Sequence, residues 1–455
     1  MIEARRHSPG RLLLIGIAVV IGLLILAAVG SWLWFKLTPV TIVEPPPGVA
    51  GILTEQIPDG PNAALIRRGR YLAIAGDCMS CHTRAGGHPF AGGLGLKTPF
   101  GIIYSSNITS DASTGIGKLT PDQFYRVLHE GRSEDGDRLY PAMPYPHFNV
   151  IPRADTDAIL AFLKTVPPEH YTQPANRLPF PLDIRLAMIG WNMLNFSPHP
   201  FKPDPNQSAL WNRGAYLVLG PGHCGACHTP KTILGAEKNG EAFHGAVTED
   251  WFAPDLTENA RAGLGRWSAG DIVDYLHTGR NAHAGAVGPM AEVVTYSTSL
   301  LSDADRNAIA TYLKSLPPSR DAPGAAPSAA AMRAGGAVFF DACTACHLMG
   351  GKGQPGMFPP LQGSALAQQR DPTGVIRLIL GGGRTAPTPA RPTYQTMPSF
   401  AWKLTDQEIA DVATFVRNSW GNRAPPVAAH QVASMRSRLK LAKPLSRDQA
   451  KGTGE

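Results

Sequence analysis

Cys78-Met79-Ser80-Cys81-His82 places two thiols one helical turn apart with an imidazole directly behind them. The same spacing returns at Cys224-Gly225-Ala226-Cys227-His228 and at Cys343-Thr344-Ala345-Cys346-His347. Thiols so spaced can form thioethers to the vinyl groups of a porphyrin while the next side chain takes the iron, which is the attachment pattern of c-type haem. The motifs use all 6 cysteines of the chain, so no thiol remains for a structural disulfide. A zinc knuckle gathers four ligands at other spacings, and a dithiol redox pair does not need the trailing histidine. The motifs therefore predict three covalently bound haem c groups, with His82, His228 and His347 on the irons.

A haem iron has a second axial position, and its occupant decides between electron transfer and substrate chemistry. Between His82 and the end of its repeat the only methionine is Met143, in Tyr140-Pro141-Ala142-Met143-Pro144; the corresponding residue after His228 is Met290, in Gly288-Pro289-Met290. After His347 there are Met349 and Met357, too near the histidine to reach round the ring, and Met397 in Thr396-Met397-Pro398. A methionine in a helix usually serves packing, whereas these three are expected in proline-containing loops. Met143, Met290 and Met397 are thus the expected sulfur ligands, with His283 a competitor to Met290. The remaining histidines share no spacing across the repeats. Pro254 and Pro359 could supply the backbone carbonyl that fixes each axial imidazole; Ser106-Asn107-Ile108 stands at that place in the first repeat, without proline.

The elements that must position these groups recur three times. Short helices lead into the motifs from Ala63, Trp211 and Met332. Helix starts at Thr120-Pro121, Ser268 and Asp371-Pro372 open Phe124 to Gly131, Ile272 to Gly279 and Val375 to Gly382. Each repeat closes on an amphipathic helix in which Ile159, Phe162 and Leu163 correspond to Ile309, Tyr312 and Leu313 and to Val412, Phe415 and Val416. No stretch reads as a multi-stranded sheet. The expected fold is mainly α, three tandem cytochrome c-like helical domains after an N-terminal transmembrane helix. The boundaries follow: a cytoplasmic N-terminus at 1–11, an anchor at 12–35, a tether at 36–61, domains at 62–172, 208–319 and 332–424, linkers at 173–207 and 320–331, and a basic tail at 425–455. The second linker, rich in Ala, Pro and Gly, reads as flexible; the first is apolar on more than one face, which suits burial between domains, or contact with a membrane or a lipid-soluble quinone.

At 455 residues the chain has room for about three domains. Leu12 to Phe35 carries no charge and is long enough to span a bilayer. Arg5, Arg6 and Arg11 precede it, so the positive-inside rule leaves the N-terminus in the cytoplasm and the haem domains on the periplasmic side of the inner membrane. Ala28-Val29-Gly30 leaves a cleaved signal peptide as the competing reading. The net charge of +7 sits in the N-terminal arginines and the last 33 residues, and the body between them is neutral, which excludes a nucleic-acid footprint.

Beyond the motifs, Gly69-Arg70-Tyr71-Leu72, Thr98-Pro99-Phe100-Gly101, Asn107-Ile108-Thr109, Leu139 to Pro146, Gly265-Arg266-Trp267-Ser268 and Thr396 to Phe400 resemble the three-haem cytochrome c subunit of bacterial membrane-bound dehydrogenases. The resemblance covers about residues 64 to 422. It implies a separate catalytic subunit carrying a quinone, flavin or molybdenum cofactor, a small third subunit, and ubiquinone as electron acceptor, with no substrate oxidation by this chain alone. Two other readings stay open: a cytochrome c donor to a terminal oxidase, and a haem enzyme with one open iron.

Overall fold

The computed structural model describes residues 9–37, 51–320 and 322–444. The cytoplasmic N-terminus before Pro9, residues 38–50 of the tether and the end of the basic tail from 445 on lie outside the described residues. The first helix, Pro9–Leu37, contains a 19-residue apolar window, Gly16–Trp34, none of which is buried. At 1.5 Å per residue this window covers roughly 30 Å, the thickness of a bilayer core.

Each repeat then folds into the same helical unit. The entry helices are Ala63–Ala75, Ala209–Leu219 and Ala329–Ala342; the middle helices are Pro121–Glu130, Ala269–Thr278 and Thr373–Gly381; the closing helices are Arg153–Leu163, Asp303–Leu313 and Asp406–Asn418. Sequence-local chemistry fixes the starts. Thr120, Ser268 and Thr405 each form a capping box with the residue three places on, and Ser302 caps with its hydroxyl alone. Gly131 and Gly279 end the first two middle helices in the left-handed conformation. Among the described residues the sheet content is three two-stranded antiparallel hairpins.

The entry and closing helices of each unit cross at a glycine. A Cβ on Gly69 would stand 1.8 Å from the Ala158 carbonyl oxygen, on Gly214 1.9 Å from that of Ala308, and on Gly335 2.1 Å from that of Asp411. Backbones this close admit no side chain, so Gly69→Ala, Gly214→Ala or Gly335→Ala must push the helices apart. Each should cost about 1–3 kcal/mol, read as a lower midpoint in thermal unfolding, whereas Gly136→Ala, where a Cβ meets open space but φ is +88°, tests backbone strain separately.

Units one and two share one hydrophobic core, running from Leu53 through Leu72, Phe90 and Phe162 to Tyr216, Ile309 and Leu313, and unit three has its own, centred on Phe339, Leu380 and Ile409. Units one and two also exchange polar contacts reciprocally. Tyr71 of unit one donates its hydroxyl to Asp305 of unit two at 2.6 Å, and Tyr216 of unit two donates to Asp155 of unit one at 2.6 Å. Arg213 makes a two-pronged contact with Asp305, both bonds at 2.8 Å, while Arg68 grips Asp155. Burial first, then the neighbouring carboxylate, pushes both phenols up, so they remain donors. The pair is a pseudo-twofold module built from Arg-Gly-x-Tyr-Leu at 68–72 and 213–217.

Unit three attaches differently. Arg261 of unit two donates to the carbonyls of Gln368 and Arg423, each at 2.8 Å, and Gln368 returns a bond to the Arg261 carbonyl at 3.1 Å. The linker at 320–331 is expected to be flexible, but its Gly324 is held: it donates to the Arg423 carbonyl and lies so close to Pro425 that a Cβ would meet its nitrogen at 2.2 Å. Nor do residues 425–444 form a solvated tail. Their helix Ala429–Arg438 buries Val432, Met435 and Arg436, and the Arg436 guanidinium reaches Asp406 at 2.6 Å and the carbonyls of Ala401 and Leu404 at 2.8 Å. Arg436, Arg438, Lys440 and Lys443 give the segment its basic composition, but the fold uses Arg436 as a buried multi-point donor. The end of the tether also docks, with Leu53 buried in the core of units one and two.

Candidate haem-binding site

The three Cys-x-x-Cys-His motifs form single helical turns, Cys78–Cys81, Cys224–His228 and Thr344–His347, directly after the entry helices. All six cysteines are free thiols. Burial holds Cys78 and Cys224 up at about 12 and Cys227 and Cys343 at about 11. Such thiols are neutral at physiological pH. Among the described residues no three His, Cys, Asp or Glu side chains converge as a metal cluster would require, which leaves the zinc reading without a ligand set.

The imidazoles are oriented alike. His82 Nδ1 lies 2.7 Å from the Ser106 carbonyl oxygen, His228 Nδ1 2.6 Å from that of Pro254, and His347 Nδ1 3.2 Å from that of Pro359. A carbonyl can only accept, so each Nδ1 carries the proton and each Nε2 lone pair is left for iron. Burial lowers all three imidazoles below their ordinary value, against the pull of the carbonyl, which keeps them neutral. In unit one the carbonyl comes from Ser106 rather than a proline: backbone position, not the proline ring, supplies the acceptor.

A second triplet makes this geometry possible, and the spacing of the sequence hides it. The carbonyls of His82, His228 and His347 accept from the amides of Gly92, Gly245 and Gly353 at 2.7, 2.8 and 3.1 Å. All three glycines have positive φ and stand against the segment that carries the acceptor: a Cβ on Gly92 would meet Ser106 at 2.4 Å, and one on Gly353 would meet the Pro359 carbonyl oxygen at 2.7 Å.

Met143, Met290 and Met397 are partly buried, the first two against the shared core and the third against the core of unit three. Met143 lies in a turn, but Met290 is the second residue of the helix Pro289–Tyr296 and Met397 belongs to the two-residue strand Thr396–Met397, so the loop expectation holds for Met143 alone. The competitors stand in different surroundings. Met349 and Met357 are 65% and 53% exposed. His283 stacks on Trp267 with ring centroids 5.4 Å apart and faces Asp271 at 3.4 Å.

In the paired module each methionine-bearing segment sits on the other unit's haem motif. His147, four residues past Met143, packs on Gly225 inside the second motif and holds Glu237 at 2.7 Å and the Leu219 carbonyl at 3.2 Å. Reciprocally, the helix Pro289–Tyr296 packs on Cys78–Cys81. His223, just before the second motif, approaches the Gly76 carbonyl just before the first at 3.3 Å.

A family model described as cytochrome c matches residues 213–317 and 332–420. The chain is 42% identical over 405 residues to the gluconate 2-dehydrogenase cytochrome c subunit of Pantoea cypripedii, covering 83% of this chain and 91% of that one. It is 40% identical over 410 residues to the cytochrome c subunit of a quinone alcohol dehydrogenase from Gluconacetobacter polyoxogenes, covering 85% and 87%. The chain belongs to the family of dehydrogenase cytochrome c subunits. The fructose dehydrogenase cytochrome subunit of Gluconobacter japonicus is a further relative, 36% identical over 417 residues that cover 84% of this chain and 85% of that one. As a cytochrome c, this subunit carries covalently attached haem c, and the thiols, oriented imidazoles and packed methionines fit that group.

Proposed function

We propose that this cytochrome subunit holds three haem c groups and passes electrons from a dehydrogenase catalytic subunit on the periplasmic side to ubiquinone in the membrane. The observation that carries the reading is the threefold recurrence of one arrangement: a thiol pair on a helical turn, an imidazole with Nδ1 held by a backbone carbonyl, and a partly buried methionine packed against an apolar core. Cys78 and Cys81, Cys224 and Cys227, and Cys343 and Cys346 attach the porphyrins. His82 with Met143, His228 with Met290 and His347 with Met397 ligate the irons. Bound haem c supplies a one-electron iron couple, and a His/Met pair lets that couple cycle with little ligand rearrangement. The residues of the chain do the rest: the carbonyls of Ser106, Pro254 and Pro359 set imidazole orientation, and the apolar cores keep water off the ligands.

The relatives' names support a dehydrogenase partner whose substrate varies while the cytochrome stays similar. Arg5, Arg6 and Arg11 ahead of the apolar helix support a cytoplasmic N-terminus and periplasmic haem domains. The partner holds its own quinone, flavin or molybdenum cofactor, and a small third subunit completes the complex. The test is stopped-flow spectroscopy on the complex purified with its native catalytic subunit. Substrate should reduce all the haem signal, and added ubiquinone should reoxidise it. Haems that substrate leaves oxidised, or that only a terminal oxidase reoxidises, contradict the proposal.

A further inference from the structure

The connector between units one and two is where the membrane helix meets the body of the protein. The amide of Phe180 donates to the Ser31 hydroxyl at 2.7 Å, and the Arg177 guanidinium lies 5.7 Å over the Trp34 ring. Ser31 and Trp34 stand in the last turns of the apolar window. Arg177 in turn exchanges two backbone hydrogen bonds with Ile102 of unit one, at 2.8 and 2.9 Å, so the anchor's outer end, the connector and unit one form a continuous contact.

From this point the chain enters the helix Ala187–Asn195, whose polarity is the reverse of a surface helix. Its inward side docks through buried Met188 and through Asn192, which accepts from the Tyr145 hydroxyl at 2.7 Å, two residues from Met143. Its outward side is apolar, with Leu186, Met193 and Leu194 exposed at 71%, 82% and 78%. Trp191 donates its indole N–H to the Leu234 carbonyl at 2.8 Å, which sets beside the helix a loop whose Ile233 is 92% exposed. A contiguous apolar surface of this kind marks a contact site. Phe180 and Leu186 are at most roughly 20 Å apart along the chain, so the patch lies within reach of the plane where the anchor leaves the bilayer. Arg177 and Arg185 flank it, and Asp183 is the only acid between residues 177 and 203.

We propose that this face is a second, in-plane membrane contact: the helix Ala187–Asn195 and the Ile233 loop bury their apolar side chains in the acyl boundary of the bilayer that the anchor spans. The contact holds the Met143 side of unit one against the membrane, with Arg177 and Arg185 at the level of the headgroups. It rests on the helix Pro9–Leu37 spanning the bilayer and not on the identity of the electron acceptor. The test uses the full-length, haem-loaded chain in vesicles of phosphatidylethanolamine and phosphatidylglycerol, with photoreactive benzoylphenylalanine replacing Met193, Ile233, Leu24 or Trp402 one at a time. These positions are exposed, so folding is not at stake. Lipid adducts should form at Leu24, Met193 and Ile233 at yields at least about tenfold above Trp402 of unit three, the contrast between acyl chains and open water. Adducts at Leu24 but not at Met193 or Ile233 overturn the proposal and leave the anchor intact; none at Leu24 overturns the anchor. A protein adduct instead of a lipid adduct at Met193 in native membranes also overturns it, in favour of a partner subunit.

Discussion

Met143→Ala, Met290→Ala and Met397→Ala should each remove one methionine-to-iron charge-transfer band from the near-infrared spectrum and leave the other two sites unchanged. The same variants should let carbon monoxide bind one reduced haem per chain. Loss of a thioether that favours the reduced iron should lower that site's potential on the order of 100 mV, a modest part of the roughly 0.8 V that axial ligation spans. Met349→Ala and Met357→Ala serve as controls, because both side chains point into solvent. A variant at Met143, Met290 or Met397 that keeps the full band, titrated by spectroelectrochemistry, identifies an iron with a different ligand and revives the open-site reading for that unit.

Asp155→Asn and Asp305→Asn should loosen units one and two from each other, each by about 2–3 kcal/mol, the range for losing hydrogen bonds to a partly buried charge. For a module of this size that is roughly 4–12 °C in the unfolding midpoint. The two effects should be similar because the contacts are reciprocal, and unit three, with its separate core, should be spared. Asp305 also sets a pH dependence. Burial works against its ionisation, but hydrogen bonds from Arg213 and Tyr71 and the guanidinium charge prevail and hold its carboxyl below the ordinary value. A carboxyl with a depressed native pKa contributes fully above its unfolded value of about 3.9 and loses that contribution as pH falls through the native one. Acid unfolding of the wild type should therefore include a step below about pH 4 that Asp305→Asn lacks, followed by circular dichroism.

Much of this was legible because the information is local. A thiol pair with its histidine, a capping box and a proline that stops a helix each operate within a few residues, so the motifs and the closing helices could be located without coordinates. Second axial ligands could be proposed by elimination, since the first two repeats offer one methionine apiece. What stayed hidden depends on contacts between distant segments. Gly92, Gly245 and Gly353 play one role at unequal distances from their histidines, so no spacing announces them. The carbonyl of Ser106 does what those of Pro254 and Pro359 do, and a backbone atom leaves no signature in residue type. The Tyr71–Asp305 and Tyr216–Asp155 exchange does leave a trace, Arg-Gly-x-Tyr-Leu occurring twice with an acid near the start of each closing helix, but its meaning appears only when the units face each other. Unit three has Ala337 where the others have tyrosine, and it attaches through Arg261 instead.

Everything proposed for electron flow depends on how many porphyrins one chain captures. Intact mass spectrometry of the denatured, full-length protein counts them directly, because thioether bonds survive unfolding. The result expected is a single species carrying three haems, which falls to two when Cys78→Ser and Cys81→Ser are combined. A native chain carrying fewer than three, or one whose mass shows a Cys224–Cys227 or Cys343–Cys346 disulfide in place of a haem, contradicts it.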